Sequence, residues 1–204
     1  MMKFSLYILI LFSTPLFSQN IEQRIYPKDQ KHKTLITEVG NPLPGNNALI
    51  INYFASKEGS YLFFLNENKA KSASYLSENP TDLYAGVYLE DHGGIIEQIT
   101  FKDFAGILSQ PRYLLDYCMA ADVDNNTIPE FYLTYFTDSD GLDAKPLKII
   151  IYTKIGKTFT KAKITAWIPY QPEDKYRIER DKNFEKLPKK IQATAETILK
   201  QIKL

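Results

Sequence analysis

Cysteine is almost absent from this chain of 204 residues: the single Cys118 rules out an internal disulfide framework. Histidine is nearly as scarce, with only His32 and His92, which leaves no pair at metal-ligand spacing. There is no G-x-S-x-G elbow, no H-E-x-x-H and no glycine-rich phosphate loop. Neither charge sign dominates, since 25 Lys and Arg against 24 Asp and Glu leave a formal net charge of +1. That balance argues against nucleic-acid binding, which selects strongly positive surfaces. Beyond the N-terminus no apolar run is long enough to span a bilayer.

What is present begins with that N-terminus. Met1-Met2-Lys3 is a short basic start, residues 4–12 form an apolar run, and residues 13–18 turn to smaller side chains. This order reads as a secretory signal peptide over residues 1–18, cut after Ser18 to leave Gln19. No Cys lies near the cut to carry a lipid. The expected product is an exported, periplasmic or extracellular monomer. Residues 19–33 are polar and aperiodic and read as an extended lead-in, followed by a single domain over residues 34–204.

Within that domain Tyr, Phe, Ile, Val and Thr recur in short runs bounded by turn residues, which favours strands. They cover residues 34–39, 48–55, 60–65, 84–89, 95–101, 131–136, 147–153 and 158–167. Residues 69–76 are read as a short helix and 104–108 as a helical turn. Asp91-His92-Gly93-Gly94 and Ile155-Gly156-Lys157 carry hairpin-turn chemistry. Leu187, Ile191, Ala195, Ile198 and Ile202 recur at steps of three and four, the stripe of an amphipathic helix that covers a sheet face. The fold class expected is strand-rich α+β: antiparallel sheets with a C-terminal amphipathic helix packed on one face. Cys118, in an apolar setting, reads as a small core hydrophobe.

One loop carries candidate chemistry. Asp122, Asp124, Asn126 and Glu130 occupy the first, third, fifth and ninth places of a D-x-[DN]-x-[DN] frame, and Ile128 can add a backbone carbonyl at the seventh. Such oxygen-rich spacing suits calcium. Thr127 stands where these loops use Gly, and a β-branched residue is disfavoured at positive φ. The competing reading is a polar turn making Asx-type hydrogen bonds to nearby amides. Asp138, Asp140 and Asp143 form a second acidic turn. Among the aromatics, Tyr84, Tyr88, Trp167 and Tyr170 are candidates for a flat platform that stacks sugar rings.

The run 122–130, the aromatic strand after it, Asp140-Gly141, residues 146–152 and the closing Phe184-Glu185-Lys186-Leu187-Pro188-Lys189 resemble a family of small exported bacterial proteins labelled surface-polysaccharide biosynthesis proteins. In that family the acidic loop is similar to the FG-GAP and VCBS loops of β-propellers. The likeness covers roughly the second half of the chain, and Asn125, Asn126 and Thr127 depart from the family's Gly-Asp-Gly. It implies a role in the cell envelope, with polysaccharide or another envelope protein as partner, and no particular reaction. The reading is therefore a non-catalytic envelope protein. The alternatives are a glycan-processing hydrolase drawing on Glu90, Asp91, Glu97 or Asp122, and a purely structural or interaction protein.

Overall fold

The computed structural model describes residues 21–55 and 58–202, so the leader expected over residues 1–18 lies outside the described residues. Two antiparallel sheets pack face to face. The first joins β1 (Ile21–Ile25), β2 (Asn46–Ala55), β3 (Gly59–Lys69), β4 (Thr81–Asp91) and β5 (Gly94–Asp103) in chain order. The second has β6 (Ser109–Tyr113) and the short β7 (Met119–Ala121) both pairing with β8 (Glu130–Ser139). It continues through β9 (Lys145–Ile155) and β10 (Thr158–Ile168) to β11 (Arg177–Arg180). The strand-rich α+β class and the antiparallel pairing expected from the sequence are those observed.

The side-chain alternation of the strands sorts three apolar layers. Between the sheets lie Leu49, Ile51, Phe63, Leu65, Val87, Phe131, Leu133, Ile150 and Tyr152, with Phe131 set edge-on against Tyr61 and Phe63. Cys118 sits fully buried in this layer, as its sequence setting implied, and burial pushes its thiol up to about 12, so it is inert. The outer face of the second sheet is covered by α2 (Lys189–Gln201), whose Ile191, Ala195, Ile198 and Leu199 meet Ile149, Ile151 and Ile164. The stripe seen in the sequence is the stripe that packs.

A second helix, α1 (Gln30–Val39), covers the outer face of the first sheet. This corrects two expectations. Residues 34–39 are helical, not a strand, and residues 21–33 of the expected lead-in supply β1 and the start of α1. Leu35, Ile36 and Val39 lie on one helical face and pack with Ile50, Leu62, Phe64 and Tyr88. Thr34 and Thr37, which argued for a strand, instead donate their hydroxyls to the carbonyls of Gln30 and Lys33, four residues back. Residues 69–76 also differ from expectation: β3 runs to Lys69 and an irregular loop follows. Residues 104–108 form a turn closed by a bridge between Gly106 and Ser109, with no helix.

The sheets are tied at one edge by β1. The Arg24 guanidinium donates to the carbonyls of Cys118 (2.7 Å) and Leu115 (2.6 Å), and the Glu22 carboxylate accepts from the Ala120 amide (3.0 Å). At the hairpin end, the Lys154 ammonium meets the Glu58 carboxylate at 2.8 Å. Among the described residues no helix is long and apolar enough to cross a membrane.

Candidate functional site

The acidic loop connects β7 to β8 and is built around Asp122. One carboxylate oxygen accepts from the Asn126 amide and the other from the Thr127 amide, both at 2.9 Å. Asp124 accepts from the Asn126 amide and side chain, each at 3.1 Å, and the Asn126 side-chain oxygen accepts from the Ile128 amide at 2.7 Å. These bonds wind the chain so tightly that Asn125 and Thr127 take φ of 64° and 75°. Asn tolerates that left-handed region; a β-branched Thr is strained there. The strain is offset locally, because the amide of Thr127 is the one that Asp122 captures.

Glu130 is the residue whose role the sequence concealed. It begins β8, paired with Ala121, and is wholly buried. One carboxyl oxygen accepts from the Val123 amide at 2.9 Å; the other is buried with no hydrogen-bond partner. Burial pushes this carboxyl up to about 8, against the pull of the Val123 amide, and the charges of Asp124 and Asp122 push the same way. At neutral pH it is therefore largely protonated. Its alternation with apolar Phe131 and Leu133 was visible in the sequence, but a carboxylate at a strand entry reads as exposed.

Asp122, Asp124, Asn126, Ile128 and Glu130 do fall in one loop, yet the side-chain oxygens of the first three are turned to loop amides. Among the described residues no three His, Cys, Asp or Glu side chains are grouped so as to hold a metal ion. The arrangement is that of a hydrogen-bonded Asx loop. Asp138, in the second acidic turn, is bound to the Lys145 ammonium at 2.8 Å, which together with the Ser139 amide holds its carboxylate below its usual range.

The four platform aromatics are divided. Tyr84 and Tyr88 project from β4 of the first sheet, and Tyr88 is buried against Phe64 under α1. Trp167 and Tyr170 belong to the second sheet and the loop after it, where Arg177 lies 4.5 Å from the Trp167 ring and Lys145 4.1 Å from the Tyr170 ring. They make no common plane. Asp91 and His92 do meet, since positive φ at His92 and Gly93 folds the β4–β5 turn until the imidazole reaches the neighbouring carboxylate. The His92 side chain is 95% exposed, and the pair sits at the rim of an open depression shared with Glu38, Val39 and Glu90.

What gathers instead is an end of the sandwich. The connections β3–β4, β5–β6, β8–β9 and β10–β11 all emerge there, and they carry exposed Tyr75, Phe104, Ile107, Leu108, Leu142, Tyr170 and Tyr176. Two backbone bonds lace three of these loops: Tyr75 donates to the Ile107 carbonyl (3.0 Å) and Asp140 to the Leu108 carbonyl (3.1 Å). No protein-family model, curated protein or solved structure matches this chain.

Proposed function

We propose that the chain is an exported, non-catalytic domain of the cell envelope that binds surface polysaccharide through the loop end of its sandwich. The observation that carries this reading is the gathering of exposed aromatic and aliphatic side chains on those four loops. Helices cover part of each outer sheet face, and the loops hold the larger share of exposed apolar side chains. The apolar faces of sugar rings stack on tyrosines whose hydroxyls stay wet. Export and the envelope process are supported by the leader-like residues 1–18 and by the resemblance of the second half.

The test is binding of the leader-free protein to an array of bacterial glycans, with Tyr75→Ala, Tyr170→Ala and Tyr176→Ala compared with the parent. Each substitution is expected to weaken binding several-fold, since sugar stacking is worth on the order of 1 kcal/mol per ring. Binding unchanged in the triple variant, or no glycan bound at all, would overturn the reading.

A further inference from the structure

Two sheets present four edges, and three are blunted. β1 is short, and its Glu22 and Arg24 are turned onto the other sheet. β6 is short and carries Pro111, which cannot extend a ladder. β11 has only Arg177, Ile178, Glu179 and Arg180. Short, charged or proline-bearing edges are how sheets avoid adding strands.

β5 departs from this pattern in its length, although it carries charges and a bulge of its own. It runs ten residues from Gly94 to Asp103, contains no proline, leaves Ile96 49% exposed and, among the described residues, pairs with β4 alone. Its charges are also placed in a pattern. Glu97 and Lys102 are exposed, and neither has an ion-pair partner among the described residues. Together with Thr100 they line a groove of about 330 Å³ on the outer face of the sheet, beside Leu43 and Tyr84.

The register explains how three residues with such spacing share a face. Val87 pairs with Ile99 and Tyr88 with Glu97, so Gln98 is the extra residue of a β-bulge. Counting the bulge as one step, Glu97 lies two steps before Thr100 and Lys102 lies two steps after it. A second β5 laid antiparallel across a two-fold axis at Thr100 then sets Thr100 opposite Thr100. Each Glu97 falls opposite a Lys102 of the other copy, on the same face. The edge is self-complementary, which is the requirement of an isologous interface.

We infer that β5 is a homodimerisation edge, pairing antiparallel with β5 of a second copy about Thr100 and joining the two five-stranded sheets into one. This replaces the monomer expected from the sequence. Main-chain hydrogen bonds supply the attachment, and the two Glu97–Lys102 pairs fix its register.

Sedimentation of the leader-free protein over a wide concentration range should show a monomer–dimer equilibrium. Glu97→Lys and Lys102→Glu, each setting like charges opposite one another twice, should each weaken it by more than about tenfold. The double variant, with the charges exchanged, should restore it. Thr100→Cys should give a disulfide-linked dimer under mild oxidation, because opposed antiparallel residues lie about 4.5–5.5 Å apart at Cα. All three substitutions are at exposed positions, and circular dichroism of each of the four variants verifies folding. A monomer at every concentration, a dimer indifferent to the single charge reversals, or no cross-link through position 100 would each overturn the inference.

Discussion

Arg24 of β1 holds the carbonyl of Cys118 at 2.7 Å, and with it binds the first sheet to the second. Because the same guanidinium also takes the Leu115 carbonyl, its fork spans the turn that precedes β7. Arg24→Ala should lower unfolding free energy by about 2–3 kcal/mol, as expected for charge-assisted bonds to partly buried acceptors. Arg24→Lys should recover only part of it, since one ammonium does not reproduce the fork. Urea denaturation with an unchanged slope checks both.

Glu130 makes stability depend on pH. Its folded carboxyl titrates near 8 in place of the ordinary 4.5, so across that window the folded chain holds a proton that the unfolded chain has released. Stability should therefore fall as pH rises through the window and level off above it, with a slope of up to about 1.4 kcal/mol per unit. Glu130→Gln keeps an acceptor for the Val123 amide and should remove this decline. Melting curves of parent and variant between about pH 5 and about pH 9 are the measurement.

Thr127 is strained at φ 75°. Thr127→Gly should stabilise the protein by about 0.5–1 kcal/mol, the left-handed penalty less the entropy of the new glycine. Asp122→Ala, which releases the amides of Asn126 and Thr127, should cost about 2 kcal/mol. A thermal-melt comparison of the two variants separates backbone strain from the bonds that sustain it.

The loop's hydrogen bonds also predict its response to calcium. With Asp122, Asp124 and Asn126 committed to amides, millimolar calcium or a chelator should leave the melting temperature unchanged, whereas a folded-state ligand would raise it. A concentration-dependent rise on adding calcium would instead support the metal reading of the loop.

Gly45 tests the packing of the α1–β2 connection. Its φ is 83°, and a Cβ there would stand 2.3 Å from the Glu67 carbonyl oxygen. Gly45→Ala should destabilise by more than about 2 kcal/mol, because a backbone atom cannot step aside. Hydrogen exchange should show the loss concentrated at the β2–β3 pairing.

Much of this architecture was legible in the residues. The stripe of Ile191, Ala195 and Ile198 named a helix with one buried face, and the β9–β10 hairpin followed from Ile155-Gly156-Lys157. α1 was not legible, because Thr34, Ile36, Thr37 and Val39 are β-branched and only the sheet beneath them decides for a helix. The acidic loop was found at the right place, with its Asx bonding among the readings. Glu130 and the unshielded β5 edge were not, since burial of one carboxyl and exposure of one strand depend on neighbours far along the chain.

The linear order of the strands has a consequence for how the protein assembles. Everything in the first sheet, with its helix, precedes residue 104, and everything in the second follows residue 108. An emerging chain can thus complete one half while Phe63, Leu65 and Val87 still await their counterparts. Because the two sheets share one apolar layer, a nick between residues 104 and 108 should yield two pieces that regain native structure only when mixed.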